Sequence, residues 1–182
     1  MSEQASSEVI TLGGGCFWCT EAVFERVRGV LSVEPGYCNG STQHPSYEQV
    51  CSGHSGHAEV VRIRFDSAQL SLRQLLEVFF CIHDPTSLNR QGADEGTQYR
   101  SGIYVENEAQ AALARDMLAE LASELGKPVV TELAPLSNYW PAEAYHHRYF
   151  ARHPDQGYCV FVVAGKVDKY MKHFKELVRD PA

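Results

Sequence analysis

The feature that most constrains the fold is a run of three glycines, Gly13-Gly14-Gly15, between the β-rich stretch EVITL at 8–12 and CFWCTEAVFERV at 16–27. Phe17, Val23, Phe24 and Val27 recur at mainly helical spacing, so the pattern predicts a strand, a glycine turn and a helix. Residues without a Cβ let the backbone turn tightly and deliver Cys16 to the first turn of that helix. Unpaired amides and the positive end of the helix dipole there favour a thiolate, which makes Cys16 the expected nucleophile. The same glycines would also suit a small buried cysteine at a strand–helix junction, or a phosphate cradle. Neither GxGxxG nor GxxxxGK[ST] is present, which weakens the cradle.

Strands and helices alternate along the rest of the chain. Residues 30–33 read as a second strand before a turn at Glu34-Pro35-Gly36, and HAEVVRIRF at 57–65 as a third. Leu72, Leu75, Leu76, Phe79 and Phe80 set a helix over 70–83, stopped by Asp84-Pro85. The polar stretch 84–102 reads as a long functional loop. A strand over 101–105, a helix over 108–125 ended by Gly126, and a strand over 129–133 follow. Pro141 suits the first residue of a helix running to 150, and 167–178 forms a last helix. This order argues for an α+β or α/β two-layer sandwich. With 182 residues the chain buries roughly 70% of its unfolded surface, so one domain over 1–182 suffices, residues 1–7 being a tail.

Charge and composition exclude two classes. Sixteen Lys+Arg against 23 Asp+Glu leave a formal charge of −7, and without a basic run the chain is not expected to bind nucleic acid. No stretch reaches the ~18 apolar residues of a membrane span, and the first residues lack the pattern of a secretory signal, so a cytoplasmic chain with reduced thiols is expected.

Six cysteines remain to be explained: Cys16, Cys19, Cys38, Cys51, Cys81 and Cys159. Cys16 and Cys19 form a C-x-x-C pair of the dithiol kind. Cys51, His54 and His57, with Cys38, supply zinc-type ligands, but their spacing fits no structural zinc pattern, and no metal is expected. His146 and His147 are adjacent and diverge on a helix, so they read as a solvated or partly buried face. At a buried strand end the Glu59 carboxyl would become a proton donor, whereas the local pattern favours its pointing to water while Ala58 and Val60 point inward. Tyr47 and Tyr99 are phenolic donors or amphipathic rim residues, and Asp94 alone carries no signal.

GCFWCTEAVFERVRGV, SYEQVCSGHSGHAEVVRIRFD, LLEVFFCIHDPTSLNRQGADEGTQYRSGIY and NYWPAEAYHHRYF together closely resemble the peptide methionine sulfoxide reductase A family. The resemblance runs from about 8 to about 175. It implies a single α+β domain, a two-layer sandwich with a mixed sheet and a ferredoxin-like core, acting on the S epimer of methionine sulfoxide, free or in proteins. Each epimer has its own enzyme. Carried over residue by residue, it makes Cys16 the nucleophile, Glu59 the acid, and Tyr47 and Tyr99 partners of the sulfoxide oxygen. Phe17 and Trp18 become the apolar wall for the substrate methyl, and Asp94 a residue that holds the substrate. Cys159, in a glycine-containing segment expected to be mobile, becomes the thiol that resolves the sulfenic acid. Cys19 is the alternative, disfavoured because i and i+3 side chains on a regular helix lie ~5–6 Å apart at Cβ while a disulfide needs ~3.5–4.5 Å. Cys38, Cys51 and Cys81 read as structural. The resemblance implies no cofactor and thioredoxin as reductant, and a monomer is expected. A general dithiol oxidoreductase and a zinc-binding module using Cys51, His54 and His57 are the rival classes.

Overall fold

A computed structural model describes residues 7–179. Of the expected tail, residues 1–6 lie outside the described residues, and Ser7 already opens a strand. The elements are β1 (Ser7–Gly13), α1 (Phe17–Phe24), β2 (Val30–Cys38), α2 (Tyr47–Cys51), β3 (Ala58–Asp66), α3 (Leu72–Ile82), β4 (Arg90–Gln91), β5 (Asp94–Glu95), β6 (Gly102–Val105), α4 (Glu108–Leu125), β7 (Glu132–Pro135), β8 (Trp140–Pro141), α5 (Tyr149–Arg152) and α6 (Ala164–His173). They form a six-stranded sheet in the order β7-β6-β1-β3-β2-β8 and a small β4-β5 hairpin. All sheet pairs are antiparallel except β6 with β7. The inner four strands, β6-β1-β3-β2, with α1 and α3 as their crossovers, make the β-α-β-β-α-β arrangement of a ferredoxin-like core.

β3 sets the layering. Val61, Ile63 and Phe65 face the main core beneath α1 and α3, while Ala58 and Val60 face a smaller cluster with Cys38 and Tyr104 that Ala134, Leu136 and Tyr139 cover. α1 is buried all round, because β2 and β3 lie on one side of it and α5 and α6 on another.

Three expectations about elements need correction. β2 runs straight through Glu34-Pro35-Gly36, where a turn was expected. The Pro35 carbonyl accepts the Ala142 amide at 2.9 Å on the β8 side, and carbonyl and nitrogen of one strand residue point to the same side, so the missing N–H falls at the sheet edge. Pro141 lies in β8, not in a helix, and the segment beyond it breaks at Arg148, whose φ of 55° is left-handed, leaving only a 3₁₀ turn at Ala144–His146 and the four-residue α5. The last helix starts earlier than expected: residues 157–158 are already helical, Cys159–Val163 form a π-helical turn, and α6 continues to His173.

Candidate active site

The glycine turn has no room for side chains. A Cβ on Gly14 would lie 3.0 Å from the Phe79 ring, and Gly15 holds φ at 89° with Gln91 carbons 2.9 Å from its Cβ position. The turn presents Cys16 as the N-cap of α1, with φ −63° and ψ 127°, outside the first helical turn where the spacing put it.

The expected thiolate is corrected as well. Burial pushes the Cys16 thiol well above its usual range; Glu59, Cys19 and Asp94 add to the effect, and a hydrogen bond from the Trp18 amide opposes it. Burial thus opposes the pull of the helix terminus and favours the neutral thiol.

Glu59 lies across from Tyr37 in the β2–β3 ladder and is 1% exposed. It shares the strand face of Val61, Ile63 and Phe65, so its carboxyl enters the core at the α1 N-terminus, opposite to the orientation that the local pattern favoured. Oε1 accepts the Phe17 amide at 3.3 Å, and Oε2 is buried with no hydrogen-bond partner. Burial raises its pKa to about 8, against the pull of the Phe17 amide and with a further push from Asp94.

Tyr47 opens α2, fixed by a Ser46–Gln49 capping box, and Tyr99 closes the 3₁₀ turn Thr97–Tyr99 in the polar loop. Burial raises both phenols, and the charge of the Glu59 carboxyl is the next cause for each. Asp94, on β5, accepts the Tyr158 hydroxyl at 2.6 Å. The loop thus holds Asp94 and Tyr99.

Phe17 is buried against Tyr37 and His146, with ring centroids 5.7 and 4.9 Å away. Trp18 stacks on Tyr149 at 3.8 Å with planes 4° apart, meets Tyr158 edge-on, and donates its indole N–H to His146 Nδ1 at 3.1 Å. His146 was missed as a solvated or partly buried residue. It is 1% exposed, burial lowers its pKa, and with Nδ1 accepting from Trp18 the neutral ring carries its proton on Nε2, which has no partner. His147 beside it is half-buried and bonded to the Ala142 carbonyl. Glu21 was also missed. It is 2% exposed, both oxygens accept the Arg148 amide at 2.8 and 2.9 Å, and burial raises its pKa to about 7. Its signal was an acidic residue within a strongly apolar helix.

All six cysteines are free thiols. Cys19 has its amide on the Cys16 carbonyl at 3.1 Å and its Sγ 3.9 Å from the Tyr158 hydroxyl. Burial raises Cys19; Lys166 and the Tyr158 hydroxyl pull it down, and Asp94 and Cys159 push it up. Cys159 is fully buried on a helical turn, and the segment expected to be mobile is ordered into helix. Among the described residues no three His, Cys, Asp or Glu gather to hold a metal ion. His57 uses both ring nitrogens on backbone, accepting from the Gly40 amide and meeting the Thr42 carbonyl.

The arrangement therefore joins a buried thiol, a protonated carboxyl with one free oxygen, two phenols and an aromatic wall. Residues 8–178 match the family model described as peptide methionine sulfoxide reductase. A protein of Saccharolobus solfataricus named peptide methionine sulfoxide reductase MsrA is 55% identical over 172 residues, covering 94% of this chain and 97% of that one. The crystal structure of reduced Mxr1 from Saccharomyces cerevisiae superposes with a TM-score of 0.79 at 34% identity, over 87% of this chain and 92% of that one. Mxr1 in complex with Trx2 superposes with a TM-score of 0.56 at 25% identity, over 82% and 88%.

Proposed function

The chain belongs to the peptide methionine sulfoxide reductase family, and from that premise we propose that Cys16 and Glu59 reduce the S epimer of methionine sulfoxide, free or in oxidised proteins, through a sulfenic acid. The observation that carries this reading is the free Oε2 of Glu59. A carboxyl with a pKa of about 8 holds its proton at neutral pH; Oε1 is occupied by the Phe17 amide, so the proton on Oε2 is available to a sulfoxide oxygen. Tyr47 and Tyr99 donate to the same oxygen, Phe17 and Trp18 pack the substrate methyl, and Asp94 helps hold the substrate.

The Cys16 sulfur attacks the sulfoxide sulfur as Glu59 protonates the sulfoxide oxygen, and the thiol proton restores Glu59. The hydroxyl then passes from the substrate sulfur to the Cys16 sulfur as the new S–S bond breaks, so that thiol plus sulfoxide give sulfenic acid plus methionine. A resting neutral thiol suits this sequence, because Cys16 is unreactive until an oxygen that accepts the Glu59 proton is present. The Cys159 thiol then condenses with the sulfenic acid, releasing water and forming a disulfide that a dithiol, thioredoxin, reduces. The Cys159 amide bonds the Gln156 side chain at 3.2 Å, and Cys159 opens a π-type turn, a rare form that is frequent at functional sites. One observation favours Cys19 as a second reading. Cys16 is an extended N-cap and Cys19 the N3 residue, so the regular-helix objection does not apply.

Thioredoxin as reductant, repair of oxidised proteins as the role and action in a reducing compartment such as the cytoplasm belong to the same proposal. No helix of the described residues is long and apolar enough to cross a membrane. The test is one equivalent of methyl p-tolyl sulfoxide added to reduced protein without reductant. Stoichiometric sulfide from the S enantiomer, loss of two thiols and a mapped Cys16–Cys159 linkage are expected. A dominant Cys16–Cys19 linkage reassigns resolution, and absence of sulfide overturns the reading.

A further inference from the structure

Gln91, in the polar loop beyond α3, is 6% exposed and takes no part in the chemistry above. Its side-chain amide is spent on one residue: Oε1 accepts the Asp84 amide at 2.8 Å, and Nε2 donates to the Asp84 carbonyl at 2.6 Å. Its backbone pairs with Asp94 across the β4–β5 hairpin. We infer that Gln91 is a positioning residue that holds the turn carrying Cys16 and the hairpin carrying Asp94 in register with each other. The inference rests on the roles proposed above for Cys16 and Asp94 and adds the group that keeps the two aligned.

Three observations carry it. The first is contact. The Cβ and Cγ of Gln91 lie 2.9 Å from where a Cβ on Gly15 would stand, so its stem fills the space that this glycine leaves. Gly15 holds φ at 89° there and is followed directly by Cys16. A shift of Gln91 therefore changes the support of the backbone that presents the thiol.

The second is what keeps the stem in place. Beyond Gln91 lies a groove of about 650 Å³, which it lines together with Phe80 and Lys166. Packing on that side does not pin the side chain, whereas its two hydrogen bonds to Asp84 do. An amide supplies a donor and an acceptor in one plane, matching the N–H and C=O of a single residue as a strand partner would. Thirdly, the loop is fastened beside the same turn at its far end. The His83 ring lies 3.2 Å from a Cβ position on Gly14, with Nε2 2.7 Å from the Ser101 hydroxyl and Nδ1 2.6 Å from the Phe79 carbonyl. Gly14 and Gly15 thus rest on residues 83 and 91, and the segment that holds Asp94 and Tyr99 is tied to the floor of the catalytic turn through Asp84 at one end and Ser101 at the other.

The test measures single-turnover sulfide formation from methyl p-tolyl sulfoxide between pH 5.5 and 8.5 in wild type, Gln91→Glu, Gln91→Met and Arg90→Ala, each checked for native circular dichroism. Arg90→Ala removes an exposed side chain from the same hairpin and should match wild type. Gln91→Met keeps an unbranched stem under Gly15 but makes neither hydrogen bond, and its rate should fall roughly ten- to a hundredfold at every pH. Gln91→Glu separates placement from packing. As a carboxylate it offers the Asp84 carbonyl no donor and should be as slow as Gln91→Met at pH 8.5. Protonated, it regains that donor and should approach the wild-type rate at pH 5.5, burial keeping its titration within that range. If Gln91→Glu unfolds at pH 8.5, its rate at pH 5.5 and that of Gln91→Met decide. Rates of the Gln91 variants equal to wild type at pH 8.5 overturn the inference, as does a Gln91→Glu deficit that acidification leaves unchanged. An Arg90→Ala loss as large as that of Gln91→Met also overturns it, since any loosening of the hairpin would then suffice. Wild type that forms no sulfide overturns the sulfoxide reading itself, and the inference with it.

Discussion

Glu59 and Glu21 are buried to nearly the same degree, 1% and 2% exposed, one meeting α1 from the sheet and the other leaving α1 toward the 144–152 segment. Burial is the leading cause of a raised pKa in both, to about 8 and about 7. They differ in what their oxygens do. Glu21 spends both on the Arg148 amide, whereas Glu59 spends one on the Phe17 amide and leaves the other unpaired. A buried acid with both oxygens engaged can act as a clamp, and one with a free oxygen keeps the donor capacity that the proposed function assigns to Glu59. Burial alone does not separate the two roles; the hydrogen bonds do.

The largest expected effect falls on the thiol that Glu59 serves. Cys16→Ser should abolish sulfide formation while far-ultraviolet circular dichroism stays native, since the hydroxyl is nearly isosteric but not ionisable at neutral pH. A folded Cys16→Ser variant with substantial turnover breaks the comparison at its root. Next in size, Glu59→Gln keeps a donor but loses the proton and should slow single-turnover sulfide formation by about 10²–10⁴. In wild type the same rate should fall as pH rises past about 8, where Glu59 loses its proton, and Glu59→Gln should lack that limb.

Stability gives the sign for both acids together. Each binds its proton more tightly when folded, its pKa being raised from 4.5, so the stability it contributes is full below pH 4.5. That contribution is lost as pH rises through about 7 for Glu21 and about 8 for Glu59. Urea midpoints should therefore fall between pH 5 and 8.5 in wild type and fall less in Glu21→Gln. Removing the clamp itself, Glu21→Ala, orphans the Arg148 amide and should cost about 1–3 kcal/mol, with tryptophan fluorescence shifting as Tyr149 loosens from Trp18. A Glu21→Ala loss of chemical rate equal to that of Glu59→Gln would erase the distinction between the two residues.

Much of this was legible in the sequence, and the misses share a cause. The strand–glycine–helix junction, the helix over 70–83 and the Gly126 end of α4 follow from local pattern, and α4 stops where Gly126 takes φ 63°. The orientation of Glu59 was also readable: counting back in twos from Phe65, Ile63 and Val61 lands on Glu59, but Ala58 and Val60 are apolar too, because a second cluster buries the other face of β3. Pro141 failed as a helix start because the sheet edge captured it beside Gly36. Cys159 looked mobile from Gly157, yet its helix is held by packing against α1 and α3, partners distant in sequence. His146 took its meaning from Trp18, 128 positions away. None of those contacts leaves a local trace.

The smallest expected effect tests what Glu21 holds. Arg148 sits at φ 55°, a conformation costing an ordinary residue of order 1 kcal/mol, and its guanidinium makes one 3.5 Å ion pair with Glu25 while 71% exposed. The bond to Glu21 comes from its backbone amide, which every residue but proline supplies. Arg148→Gly should therefore forfeit an exposed ion pair worth about 0–1 kcal/mol and regain a comparable amount by relieving the left-handed backbone, moving the urea midpoint little in either direction. Turnover should be unchanged, since Tyr149 and His146 keep their places against Trp18. A destabilisation of Arg148→Gly as large as that of Glu21→Ala would mean that the side chain, not the amide, fastens this segment to α1, and Glu21 would then be an ion-pair partner rather than a clamp.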